Sequence, residues 1–230
     1  MLGGVPVAIA IAVALIVGLL VGVINGALVA YLNLSAFVAT LATLTSVTGL
    51  AFLVTDGTTL FNLPPEFNFL GQGRFLEIPL PVFIAIGISA ILWFFLKFTT
   101  LGRRWYAIGG NAEVSRLSGI NVKRARLLAF AVAGLVSAIA GVLLAARLGS
   151  ASAVQGEDNL LFSVAAVFLG MTIVRSGAAN IVGTMVGVGI IGVMSNGLNI
   201  LGVNAYVQQV VTGLIIIAAV TLSSFKTRER

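Results

Sequence analysis

The sequence predicts an all-α protein, a polytopic bundle of transmembrane helices, and three observations support this prediction. Only 9% of the 230 residues are charged and 59% are hydrophobic, whereas soluble domains carry roughly 25% charged residues. Long stretches carry no charge at all, among them residues 1–55, 78–96 and 127–146. The 27 glycines suit the close helix packing that occurs in lipid. We therefore interpret the chain, residues 1–230, as a single domain of an integral membrane protein.

Segments that could cross the membrane follow from length, because about 20 apolar residues are needed to span the hydrocarbon core. Seven segments meet or approach this length: 5–30, 36–54, 80–98, 127–146, 160–174, 181–200 and 206–222. The fifth is short, which predicts a broken or tilted helix. The first segment lacks a basic start and a small-residue cleavage pattern, so we interpret it as a span and not as a signal peptide.

The segment between the second and third spans, residues 55–79, is predicted to be an ordered loop with turns. It and the two residues that follow contain four of the five prolines, which exclude a continuous helix. These are Pro64, Pro65, Pro79 and Pro81.

The orientation follows from a basic loop at residues 99–126. This loop holds six Lys and Arg residues against the single acid Glu113, and cationic loops between spans stay in the cytoplasm. Successive spans cross the membrane in opposite directions, which places residues 55–79 outside and the C-terminus inside. Eleven of the thirteen Lys and Arg residues then lie on the cytoplasmic side. Met1 falls outside, which suggests a fragment or a shortened chain. The alternative is a complete protein with an external N-terminus.

Within the basic loop, the sequence predicts a short capped helix over residues 112–118. Gly109 and Gly110 permit a tight turn, Asn111 is a good N-cap, and Gly119 is placed to end the helix. The apolar positions are Ala112, Val114 and Leu117, and the polar ones are Glu113, Ser115 and Arg116. The helix could dock a cytoplasmic partner or rest on anionic lipid headgroups. The local capping favours docking, because attraction to lipid needs charge but no defined turn.

Two glycine repeats predict close contact between helices. Gly18, Gly22 and Gly26 recur every four residues and line one helix face, and Gly183 and Gly187 do the same in the sixth span. Packing between helices is the preferred interpretation, whether within one chain or between subunits.

Polar residues within the spans are few, and none is ionisable. A proton- or sodium-coupled transporter would usually bury an acid in the membrane, so its absence favours an external energy source. Neutral amides and hydroxyls suit a neutral, polyhydroxylated solute, although interhelical hydrogen bonding is the better interpretation of each residue alone. The candidates for a polar route are Asn25, Thr40, Thr43, Asn196, Asn199 and Gln208.

Catalysis finds little support in the sequence. The chain has no cysteine and no histidine, which removes thiol chemistry and the usual general base and metal ligand. There is no intramembrane carboxylate pair and no phosphate-binding Gly-Lys motif. We therefore expect no catalytic residue, metal or cofactor, and among further partners we expect membrane lipid and no nucleic acid.

Several stretches resemble a known family. The run GRRWYAIGGNAEVSRLSGINVKRARLLAFAVAGLVSAIAGVLLAARLGSA closely resembles the permease subunits of bacterial ABC importers for monosaccharides, the ribose, xylose, arabinose and galactose group. GLLVGVINGALVAYLNLSAFVATLATL, LPPEFNFLGQGRFLEIPLPVFIA and SNGLNILGVNAYVQQVVTGLIIIAAV resemble the family's earlier spans, external loop and final two spans. The related branched-chain amino-acid permeases match less well. The family's usual additional N-terminal spans are absent from this sequence.

The resemblance implies a coupling helix that sits on a cytoplasmic ATPase subunit, so that this chain itself would not hydrolyse ATP. The residues to which this coupling role carries over are Gly109, Gly110, Asn111, Ala112, Glu113, Ser115, Arg116, Leu117, Ser118 and Gly119. The resemblance also implies a second permease subunit, identical or different, a periplasmic sugar-binding protein and a place in the bacterial inner membrane. The alternatives are import of another small solute, such as an amino acid or a nucleoside, and a membrane subunit that does not transport.

Overall fold

A computed structural model describes residues 4–173, 178–204 and 206–211, together with positions 213, 214, 217 and 221. The predicted helical bundle is confirmed, since the described residues are mostly helical and strand is confined there to one short hairpin and one isolated bridge. Contacts divide the chain into two compact units, Met1–Gln155 and Gly156–Arg230.

The first unit contains seven helices and the hairpin. The helices are α1 (Val7–Tyr31), α2 (Ala36–Thr55), α3 (Pro65–Gln72), α4 (Leu80–Phe98), α5 (Thr100–Gly110), α6 (Ala112–Leu117) and α7 (Val122–Leu148). The strands β1 (Arg74–Phe75) and β2 (Ile78–Pro79) pair antiparallel between α3 and α4. In the second unit, α8 spans Glu157–Ile173, α9 spans Ile181–Ile200, and residues 206–211 are again helical.

In the part of the chain that the structure describes, five helices are long and apolar enough to cross a membrane, namely α1, α2, α4, α7 and α9. They match five of the seven predicted spans. The short fifth span corresponds to α8, which is continuous over its 17 residues, so no break lies within Glu157–Ile173. The alternative of a tilted helix stays a prediction. Much of the seventh predicted span lies outside the described residues.

Helices α1 and α7 pack backbone against backbone along the predicted glycine face. A Cβ at Gly22 would collide with the Phe130 carbonyl oxygen, and it would lie 3.1 Å from the Cα atoms of Ala131 and Gly134. A Cβ at Gly26 would lie 2.9 Å from the Leu127 Cα. The prediction of close approach is confirmed, and α7 is the partner helix.

In the second unit, α8 and α9 also pack backbone against backbone. A Cβ at Gly183 would lie 2.6 Å from the Gly170 carbonyl oxygen, and one at Gly187 would collide with the Ala166 carbonyl oxygen. Ala165 and Ala166 are fully or almost fully buried at this contact. Small side chains thus hold both helix pairs together.

The predicted loop at residues 55–79 is partly regular, because its prolines begin helices. Pro65 lies in the first turn of α3, where its missing N–H and fixed φ are tolerated. Gly71 of α3 packs on the backbone of Arg147, and the Gln72 side-chain amide donates to the Arg147 carbonyl oxygen at 3.2 Å. The loop is thereby attached to the C-terminal end of α7.

Candidate functional site

The short helix α6 begins as the sequence predicts. Asn111 has an extended backbone, and its side-chain oxygen accepts hydrogen bonds from the N–H groups of Glu113 and Val114, both at 3.0 Å. An N-cap of this kind satisfies donors that have no partner inside the helix. The helix itself ends at Leu117, one residue before the predicted end, because Ser118 serves as its C-cap.

The end of α6 is a Schellman motif built on Gly119. Gly119 adopts the left-handed conformation with φ +83°, as the sequence predicts for this position. Its N–H donates to the Arg116 carbonyl oxygen, and the Ile120 N–H donates to the Ser115 carbonyl oxygen, both at 3.0 Å. The helix is therefore closed at both ends without help from a partner.

The predicted tight turn at Gly109 and Gly110 is wrong. Both glycines belong to the last turn of α5, neither has a positive φ, and a Cβ on either would meet nothing within 4 Å. The Asn111 N–H continues the helical pattern by donating to the Ala107 carbonyl oxygen at 3.1 Å. The change of direction comes from the extended backbone of Asn111.

Two apolar side chains project from α6. Val114 is 58% exposed and Leu117 is 76% exposed. Ser115, interpreted from the sequence as an outward polar contact, is instead buried, and its hydroxyl donates to the Asn111 carbonyl oxygen at 2.8 Å. The exposed face of α6 is therefore more apolar than the sequence interpretation suggested.

A charged pair flanks this apolar surface. The Arg116 guanidinium donates to the Glu113 carboxylate at 2.6 Å, with both side chains largely exposed. The hydrogen bond and the charge of Glu113 raise the pKa of Arg116, which stays protonated at any physiological pH. Because exposed ion pairs stabilise little, this one mainly sets the charge pattern beside Val114 and Leu117.

Helix α5, which was not predicted from the sequence, fixes the approach to α6. The Trp105 indole N–H donates to the Ala125 carbonyl oxygen of α7 at 2.8 Å, and its ring packs 5.5 Å from that of Phe95 in α4. The Thr99 hydroxyl caps α5 by accepting from the Gly102 N–H at 3.1 Å. A threonine at the N-cap position, three residues before the Gly102 N–H that it accepts from, was the available signal in the sequence.

The two glycines of this segment predict opposite responses to the same substitution. Gly119→Ala should destabilise the end of α6 by about 1 kcal/mol, because a left-handed backbone is strained for any residue with a Cβ. Gly110→Ala should be neutral or slightly stabilising, because its position is helical and open. Hydrogen exchange of the amides at 114–120 measures the difference. Equal exchange in the two variants would show that Gly119 does not hold this helix end.

The candidate residues for a polar route lie in both units. In the first, the Thr43 hydroxyl donates to the buried Asn25 side-chain oxygen at 2.8 Å, whereas the Thr40 hydroxyl bonds to its own helix. In the second, Asn196 and Asn199 are exposed on α9, three residues apart. Gln208 donates to the Val203 carbonyl oxygen at 2.9 Å. Asn25 and Thr43 are the candidates that a described hydrogen bond joins to each other.

Comparison with known proteins identifies the family. The model of the family described as branched-chain amino acid transport system, permease component, matches residues 1–220. The chain belongs to this permease family. The resemblance to transport permeases predicted from the sequence is thus confirmed.

The relatives within this permease family include sugar import proteins. The ribose import permease protein of Bacillus subtilis is 45% identical over 229 residues, which are 99% of this chain and 71% of the relative. The ribose import permease protein of Escherichia coli K12 is 38% identical over 88% of this chain and 64% of the relative. The L-arabinose transport system permease protein of the same organism is 35% identical over 90% of this chain and 63% of the relative. No solved structure matches significantly.

Proposed function

We propose that the chain is the membrane-spanning permease subunit of an ATP-driven importer, which moves a ribose-like monosaccharide across the bacterial inner membrane. The observation that carries the proposal is α6, a helix closed at both ends that exposes Val114 and Leu117 within a chain of this permease family. The sugar relatives at 35–45% identity support the substrate class. The chain itself is not an enzyme, and a separate cytoplasmic subunit hydrolyses ATP.

In this proposal, α6 is the coupling helix. Val114 and Leu117 enter an apolar pocket of the ATPase subunit, while the Glu113–Arg116 pair contacts its polar rim. The caps at Asn111 and Gly119 keep the helix formed when the partner moves. The Trp105 bond to α7 passes the displacement on to the membrane helices.

The remaining partners follow from the same proposal. A second permease subunit completes the passage between the two copies, and a periplasmic sugar-binding protein delivers the solute. The neutral amides of Asn196, Asn199 and Gln208, with the Asn25–Thr43 pair, contribute polar groups along the route. Such groups hold a sugar weakly, so that the binding protein and not the permease sets the apparent affinity.

A sugar panel tests the proposed function. The chain is expressed in a Bacillus subtilis strain that lacks its own ribose import permease protein, and uptake of labelled ribose, xylose, arabinose and galactose is measured. We expect uptake of at least one sugar, with membrane content checked by immunoblot and the native permease as the positive control. Uptake of labelled leucine or uridine instead would assign another solute. Membrane insertion without any uptake would favour a subunit that does not transport.

The orientation predicts a labelling pattern for single cysteines, which are simple to install because the chain has none. A cysteine at Glu66, exposed on α3, should react with an impermeant maleimide added from the periplasmic side. One at Ser118, exposed beside α6, should react only from the cytoplasmic side. Ser115 is unsuitable because it is 4% exposed. Periplasmic labelling at Ser118 would contradict the proposed topology.

Because the polar groups along the proposed route hold the sugar weakly, a substitution there should change the maximal uptake rate more than the apparent affinity. Asn199→Leu should lower the maximal uptake rate several-fold and leave the apparent affinity almost unchanged, because the binding protein sets that affinity. Val193→Leu provides a control on the same helix, since this exposed position is already apolar. A large change in apparent affinity at an unaltered maximal rate would mean that the permease holds a specific sugar site.

A further inference from the structure

The hairpin formed by β1 and β2 has an unusual turn. Its two central residues, Leu76 and Glu77, have φ values of +51° and +63°. A two-residue hairpin turn of type I′ needs positive φ at both of these positions, and Asn-Gly or Asp-Gly normally supply it. Leucine and glutamate sparsely populate this region, and such backbones cluster where a function requires them.

The residues of this hairpin separate into two faces. Phe75 lies opposite Ile78 in the register, so that these two side chains share one face, while Arg74 lies opposite Pro79 on the other. Phe75 is 61% exposed and Leu76 at the tip is 78% exposed. The hairpin thus presents large apolar groups on one side and a cation on the other.

The apolar face of the hairpin continues onto the beginning of α4. The rings of Phe75 and Phe83 meet edge to face with their centroids 5.8 Å apart, and Phe83 lies in the first turns of the helix. The Leu80 N–H donates to the Gly73 carbonyl oxygen at 2.8 Å, which fastens the base of the hairpin to the start of the helix. Val82 and Ile86 extend the same exposed apolar surface along α4.

The length of α4 sets the depth at which the hairpin lies. Its 19 residues span about 28 Å at roughly 1.5 Å per residue, close to the ~30 Å of a hydrocarbon core. Leu80 therefore lies near the edge of that core. Leu76 is four residues away, which is at most about 13 Å of extended chain. The tip therefore lies within about 13 Å of the edge of the hydrocarbon core, a distance that includes the headgroup layer.

We infer that the hairpin tip, Phe75 and Leu76, inserts into the interfacial zone of the bilayer beside the start of α4 and anchors that helix to lipid. The occupant of the surface is lipid because the apolar face is continuous with a membrane-spanning helix and lies within reach of the headgroup level. Arg74 on the opposite face can reach lipid phosphate or water. The strained turn carries Leu76 at the tip, where glycine would offer no apolar side chain.

Spin labels at single cysteines test the inference in proteoliposomes of the full chain. Nitroxides are placed at Phe75 and Leu76, at Ile86 as the lipid reference, and at Arg74 as the matched control on the other face. Collision with oxygen, which concentrates in lipid, is compared with collision with a water-soluble nickel complex. We expect the oxygen-to-nickel ratio at Phe75 and Leu76 to approach that at Ile86 and to exceed that at Arg74 several-fold.

Two results would overturn the inference. Equal nickel accessibility at Leu76 and Arg74 would place the tip in water, and protection of Leu76 from both reagents would mean that protein covers it. The double variant L76N/E77G supplies a second test, because Asn-Gly suits this turn and removes the apolar tip. A label at Phe75 should then shift several-fold toward the nickel complex. No shift in that variant would exclude the tip as the anchor.

Discussion

Replacing Leu117 with aspartate is expected to lower ATP-driven uptake by at least about tenfold, since each tenfold step corresponds to about 1.4 kcal/mol. Leu117 is the most exposed apolar residue of α6, and the proposed contact with the ATPase subunit would bury it. An unpaired carboxylate in that contact would cost several kcal/mol. Uptake of labelled sugar and ATPase stimulation by loaded binding protein are the measurements, with membrane content held constant.

A charge-matched control separates a contact effect from a general effect of negative charge. Asn121→Asp adds the same charge four residues away, at an exposed position where the side chain caps α7 by accepting from the Arg124 N–H at 3.0 Å. Aspartate caps a helix as well as asparagine does, so this variant should transport normally. Normal transport by L117D would show that α6 is not the coupling element.

Replacing Gly22 with leucine should destabilise the first unit by about 3 kcal/mol, because even one extra methylene strains a closely packed contact. A Cβ at this position would already collide with the Phe130 carbonyl oxygen, and backbone cannot move aside as a flexible side chain can. The helices α1 and α7 would have to separate. The midpoint of thermal unfolding in detergent, followed by size-exclusion chromatography, should fall sharply.

Gly49→Leu is the control for this substitution. It lies within α2, which is also long and apolar enough to span the membrane, and a Cβ there would meet nothing within 4 Å. The same leucine should therefore leave the unfolding midpoint unchanged or raise it slightly, since leucine favours helix more than glycine does. Similar midpoints for the two variants would show that the α1–α7 contact contributes little.

The helix faces were predictable from the sequence, whereas their partners were not. A four-residue spacing places Gly18, Gly22 and Gly26 on one face because of the helical period alone. It carries no information on which helix approaches, and the matching small residues of α7, Gly134 and Ala138, could be recognised only from the structure. The pairing of Asn25 with Thr43 was hidden for the same reason.

The caps of α6 were predicted correctly from the sequence, whereas the turn at Gly109 and Gly110 was not. Asn111 and Gly119 act through local hydrogen bonds, so the sequence alone could place them. Gly109 and Gly110 permit a turn without requiring one, and the contact of Trp105 with α7 stabilises helix up to Gly110. The burial of Ser115 was missed because a helix of six residues is too short for periodicity to reveal its faces.

The backbone contact between α1 and α7 also limits how this unit can deform. Helices that touch through glycine leave no side-chain layer to slide or repack, so we expect α1 and the 27 residues of α7, about 40 Å long, to move together as one body. Rotation must then concentrate at its ends. Asn33, with φ +53°, follows α1, and Gly149, with φ +64°, follows α7. These two positions are where a hinge axis would pass if α6 were pushed.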